Sequence, residues 1–172
     1  MRREKINGVT CLVLLLLGLA AGTYAIAAVT PRYELLSHTN GDIKVLDRAT
    51  NLEWTQKVES QFGFGWKDAL VFCKELELFE QSDWRLPNVT ELASLIDEKQ
   101  PSDKAPINPY YFPDFDDSRF YWTSTTMPDV DNPDNAYAVY FNGSADEYSR
   151  GGIFVEPKGT GMGNILCVRD VD

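Results

Sequence analysis

Asp83-Trp84-Arg85-Leu86-Pro87-Asn88-Val89-Thr90-Glu91-Leu92 reads as an irregular segment running into a helix. Asn88 can accept a hydrogen bond from the first free N–H groups of that helix. Glu91, three residues on, can reach back to the Asn88 N–H, as in a capping box. Pro87 lies just outside the helix and biases Leu86 away from helical dihedrals. Trp84 and Leu86 alternate with Arg85, so one face can enter a core while the guanidinium points elsewhere. An arginine so placed either grips a ligand carboxylate or sulfate, or is held by an internal carboxylate; the second is the commoner fate. The helix carries Val89, Leu92, Leu95 and Ile96 inward and ends near Asp97, with Pro101 as a stop soon after.

Upstream, Trp66, Ala69, Leu70, Cys73 and Leu76 fall on one face of an amphipathic helix. Cys73 therefore points inward. Before it, Phe62-Gly63-Phe64-Gly65 reads as a flexible aromatic loop, residues 43–56 as a β-hairpin, and Thr30 to Ser37 as a first strand. Downstream, residues 98–119 mix four prolines with Tyr110, Tyr111, Phe112 and Phe115, which suits a packed surface loop. Strands follow at 120–125, 136–141 and 153–155, with a turn at Asn142-Gly143. A loose glycine-rich segment runs from Lys158 to Gly163, and a closing strand covers 165–169. Strands, two helices, a long loop and more strands make an α+β fold with a mostly antiparallel sheet.

The first residues are not part of that fold. Arg2, Arg3 and Lys5 precede an apolar run, Cys11 to Ala21, and Ala25-Ile26-Ala27 gives a small-residue cleavage site. This is the pattern of a secretory signal peptide, residues 1–27; the run is short of the roughly 20 residues a membrane anchor needs. Residues 28–172 then form a single exported domain, periplasmic or extracellular. Removing Arg2, Arg3, Lys5 and Glu4 with the leader takes the net charge from −10 to −12. Such a surface repels nucleic acid at long range and favours cations or neutral ligands. Of three cysteines, Cys73 and Cys167 remain. A distant, even pair in an exported chain most simply forms a disulfide; the alternative is a reactive thiol.

Several spaced motifs carry a resemblance. Asn51-Leu52-Glu53-Trp54, Trp66-x-x-Ala69 with Cys73, Asp83-Trp84-Arg85-Leu86-Pro87 with Glu91-Leu92, Tyr121-Trp122-Thr123-Ser124-Thr125 and Cys167-Val168-Arg169 occur in order. Over residues 40–170 the chain resembles the Lcl C-terminal domain family of bacterial exported proteins. The resemblance implies a C-type-lectin-like fold, related also to the formylglycine-generating enzymes: two helices, antiparallel sheets and a long loop region. A disulfide from helix to last strand is a feature of C-type lectins and agrees with Cys73–Cys167. There are departures. Asn132-Pro133-Asp134 is a loose echo of the calcium-lectin loop motif, and no Trp-Asn-Asp follows. The formylglycine-generating enzymes use a C-terminal cysteine pair, whereas here that part holds only Cys167.

The candidate site residues lie in two loops. Asp129, Asp131 and Asp134 supply oxygen atoms for a hard cation, with calcium the cation they would take, although the spacing is not that of an EF-hand. Tyr110, Tyr111, Phe115, Asn132 and Asn135 are the candidate ligand-binding residues; aromatic faces stack on sugars and anchor protein interfaces, or else cap the core. His38, the single histidine, makes no zinc site with two cysteines. The expectation is a non-catalytic binding module with no catalytic residues, recognising a glycan or cell-surface protein through loops 98–119 and 126–135. The alternatives are a structural cell-envelope or appendage component, and an enzyme related to the formylglycine-generating group.

Overall fold

Alternation of side chains in the first three strands separates two very different surfaces. Strands β1 (Tyr33–Ser37), β2 (Ile43–Asp47) and β3 (Leu52–Thr55) form an antiparallel meander. Tyr33, Val45, Leu52 and Trp54 enter a hydrophobic core on one face, while Lys44 and Glu53, one residue out of phase, are buried on the other. The computed structural model describes residues 30–57, 59–101, 104–128, 134–141 and 151–171. The expected leader, residues 1–27, and the expected turn at Asn142-Gly143 lie outside them. Pro31–Asp172 cluster as one compact unit. Among the described residues, no helix is long and apolar enough to cross a membrane.

After β4 (Glu59–Phe64) come α1 (Trp66–Glu75) and α2 (Val89–Ala93), then β5 (Phe120–Thr126), β6 (Asn135–Tyr140), β7 (Gly152–Pro157), β8 (Gly163–Ile165) and β9 (Val168–Asp170). The strands make a four-stranded sheet, ordered β1-β2-β3-β9, and a five-stranded sheet, ordered β4-β8-β5-β6-β7. Pairing is antiparallel except for β5 with β8. The class is α+β, as the order of elements predicts. Strand β5 opens with three large aromatic residues in succession because both faces of its first half are covered. Phe120 and Trp122 join Ala69, Cys73, Trp84 and Leu86, whereas Tyr121 joins Trp54, Leu92, Phe112 and Val168.

Helix α1 buries Ala69 and Cys73 as its period predicts. At α2 the capping box forms in full. The Asn88 side chain accepts from the Glu91 N–H at 2.9 Å, and the Asn88 N–H donates to the Glu91 carboxylate at 2.8 Å. The helix stops at Ala93 rather than near Asp97. Ser94 Oγ donates back to the Glu91 carbonyl, Arg32 takes the Ser94 carbonyl, and the Asp97 N–H turns to Pro106 in the long loop.

Two further expectations are corrected. The stretch expected to be an aromatic loop belongs to β4 through Phe64, whose carbonyl accepts from the Trp122 indole N–H at 2.7 Å. Gly163 permits this approach, because a Cβ there would run into the Trp122 indole and the Phe120 ring. The closing strand is two strands. Ile165 ends β8 in the five-stranded sheet; Leu166 and Cys167 cross over; Val168 starts β9 in the other sheet. Thr55 holds the crossing, its N–H donating to the Cys167 carbonyl and its Oγ1 accepting from the Cys167 N–H.

Cys73 and Cys167 form the disulfide, with Cα atoms 5.5 Å apart. It joins α1 to the crossing point and closes a sequence separation of 94 residues. Replacing both cysteines by serine should therefore lower stability by ~4 kcal/mol in the chain-entropy description. A urea midpoint that is the same for the double variant and the oxidised wild type would show that the cross-link contributes nothing.

Candidate functional site

The residues that carry the sequence motifs converge on a buried ionic network. Glu53 Oε2 accepts from Lys44 Nζ at 2.6 Å and from Arg169 Nη1 at 2.6 Å. Lys44 also donates to Gln81, and Arg169 Nε donates to Asp83 at 2.8 Å. Lys44, Glu53 and Arg169 are all buried. The β2–β3–β9 register aligns them: Glu53 lies opposite Arg169, and Lys44 sits diagonally across from Glu53. The segment after α1 covers them, turning tightly at Phe79 and Glu80, both at positive φ, and laying the Phe79 ring on the Lys44 ammonium. The hydrogen bond from Arg169 holds the Asp83 carboxyl below its usual range, against a small opposing effect of burial.

Arg85 takes the internal fate. Its guanidinium forks onto Glu91, at 2.8 and 2.9 Å, and reaches Asp170 at 3.3 Å. These partners raise its pKa, with the Glu91 hydrogen bond dominant. Its backbone forms a bridge with Val168 on the outer side of β9. The motif residues thus pair among themselves in two groups, Glu53 and Asp83 on Arg169 and Glu91 on Arg85, while Cys73 is bonded to Cys167.

The candidate ligand residues separate into two places. Tyr110 is 70% exposed. Tyr111 packs between Tyr110 and Tyr33, with ring centroids 5.0 and 5.1 Å away. Phe115 is stacked on Tyr121 at 4.3 Å and meets Phe141 edge-on, so its faces serve the core. The loop is held from beneath by buried Ile107 and Phe112. The Tyr121 hydroxyl also accepts the Asp116 N–H, and burial pushes that phenol's pKa up. Beside it the fully buried Asn164 side chain acts on both the Tyr121 phenol and the Asp116 carboxyl.

Asp134 and Asn135 lie elsewhere, at the start of β6 and beside the far end of β5. Asp134 is exposed and shares a shallow depression with Lys67, Asp68 and Lys158, a mixture of charges rather than a cage of oxygen atoms. Asp129, Asp131 and Asn132 fall outside the described residues. Among the described residues, no three histidine, cysteine or acidic side chains gather as metal ligands.

One cavity was not foreseen. About 270 Å³ opens between the end of the β2–β3 hairpin and the C-terminal part of α1, beside Cys167. Its lining comes from four segments, 41–43, 55–57, Phe72 with Leu76 and Leu78, and Ile165 with Cys167, so no local pattern signals it.

A family model described as the Lcl C-terminal domain covers residues 44–169. No curated protein and no solved structure matches the chain.

Glu53→Ala should cost ~3–5 kcal/mol, because it leaves Lys44 and Arg169 buried without their shared carboxylate. The measure is the urea midpoint at unchanged slope. Asp83 provides a pH signature. Its folded pKa is depressed, so its contribution is complete above the unfolded value, about 3.9, and is lost as pH falls through the lower folded value. The stability gap between wild type and Asp83→Asn should therefore be widest above that value and close in acid. A gap that does not change with pH would refute this assignment.

Proposed function

We propose that this chain, which belongs to the Lcl C-terminal domain family, is an exported, non-catalytic binding module that recognises a glycan or a cell-surface protein through its long loop. The observation that carries the reading is Tyr110, a large exposed aromatic on a loop fixed by its own packing. An aromatic face presented without loop disorder loses little entropy on binding, which suits both sugar stacking and protein anchoring. The C-type-lectin-like reading of the fold is supported by a hairpin, two helices, a long loop and the tie from α1 to the C-terminal strand region. Export is supported by the leader pattern and the disulfide. Against the formylglycine-generating reading, Cys167 is bonded to Cys73 on α1 rather than to a C-terminal neighbour.

One observation favours a structural envelope or appendage component. Strand β7 lies at the edge of the five-stranded sheet, and Ile153, Phe154 and Val155 are exposed in succession. Apolar edge strands are templates for pairing with another chain.

Binding of wild type and Tyr110→Ala to a glycan array and to bacterial surface proteins tests the first reading. Wild type should bind a defined class of ligand. The variant should bind about tenfold more weakly at unchanged melting temperature. Equal binding by the two proteins, or none by wild type on either panel, rejects recognition through Tyr110.

A further inference from the structure

The cavity beside Cys167 shares no residue with the Tyr110 loop, and its lining has a definite polarity. Ile43, Phe72, Leu76 and Leu78 give it apolar walls, and Asp42 and Lys57 stand among the lining residues. The hairpin places both charges. The β2–β3 pairing ends with Lys44 opposite Thr55; Asp42 lies just before β2 and Lys57 two residues after β3, both at this open end of the hairpin. Yet neither charge takes part in an ion pair among the described residues. The Asp42 carboxylate is instead steadied by the Asn40 side-chain amide at 2.7 Å.

We infer that this cavity is a binding site for a hydrophobic α-amino acid. The ammonium sits at Asp42, the carboxylate at Lys57, and the side chain lies against Ile43, Phe72, Leu76 and Leu78. The ligand bears both charges on one carbon, and the cavity offers the two complementary charges beside an apolar interior. Its size points the same way: about 270 Å³ lies just under the common range for ligand pockets, ~300–1,000 Å³, and suits one residue rather than an oligosaccharide. The disulfide fixes the site's shape. Cys73 follows Phe72 on α1 and Leu76 is the residue just after that helix, while Cys167 lines the cavity, so the bond ties the helical wall to the strand crossing.

Calorimetric titration of the oxidised protein tests the inference with leucine and phenylalanine, with glycine as control. Two leucine analogues complete the set: 4-methylpentanoate, which lacks the amine, and isoamylamine, which lacks the carboxylate. Leucine or phenylalanine should bind saturably, glycine should not, and both analogues should bind at least about tenfold more weakly. Lys57 is exposed at the rim, so Lys57→Met should weaken binding about tenfold while leaving the unliganded melting temperature unchanged. No heat from either amino acid up to about 10 mM overturns the inference. So does an analogue that binds as well as leucine, or undiminished binding by Lys57→Met.

Discussion

One carboxylate, Glu53, holds two buried cations, and much of the chain is arranged so that it can. Lys44 and Arg169 come from strands on either side of β3, on the face away from the hydrophobic core. Without Glu53 the two positive charges would face each other out of water, an arrangement no packing offsets. With it, and with Asp83 on Arg169, two cations meet two carboxylates, and Gln81 takes a further Lys44 proton. The covering segment is bent to suit. Phe79 and Glu80 adopt left-handed backbone conformations, uncommon away from glycine, and so lay Phe79 over Lys44 and bring Gln81 and Asp83 into range.

The second constraint is the crossing at Leu166 and Cys167. The last strands belong to different sheets, so the chain between them passes through both cores. Leu166 packs with Trp54 and Leu92, and Cys167 with Trp84 and Trp122. The disulfide and the two Thr55 hydrogen bonds act at this point. Arg85 then pairs its backbone with Val168 from outside, in a single bridge at the free edge of β9. Both ends of the motif that opens with Asp83 are thereby engaged. Asp83 meets the ionic network, and Glu91 both caps α2 and holds Arg85.

What could be read from the sequence was local or covalent. The capping box needs four residues in a row, the α1 face needs a 3.6-residue period, and the disulfide needs two cysteines in the folded part of the chain. Each is present. What could not be read depends on distant partners. The apolar run 165–168 with Arg169 looks like one strand, because nothing within it says that Ile165 pairs with β4 while Val168 pairs with β3. Two glycines around Phe64 suggest a loop until Trp122 supplies a donor for its carbonyl. Helix α2 ends early because Arg32 and Pro106, far along the chain in either direction, take up its last polar groups. The candidate site follows the same rule. The exposure of Tyr110 and the core role of Phe115 are invisible in a stretch where both are simply aromatics, and the cavity draws on four separate segments.

The two loops expected to act together are held apart by β5. Phe120 adjoins the aromatic loop, and Thr126 leads towards Asp134 and Asn135. Six steps of ~3.3 Å separate those ends by ~20 Å. The antiparallel partner repeats the separation, since Asn135 opens β6 while Phe141, just past its other end, meets Phe115. A ligand seated on Tyr110 therefore reaches Asp134 only if it is long and lies along the sheet. Recognition of a compact sugar or a single side chain has to be completed within one loop, and the packing beneath Tyr110 gives that loop a fixed shape of its own.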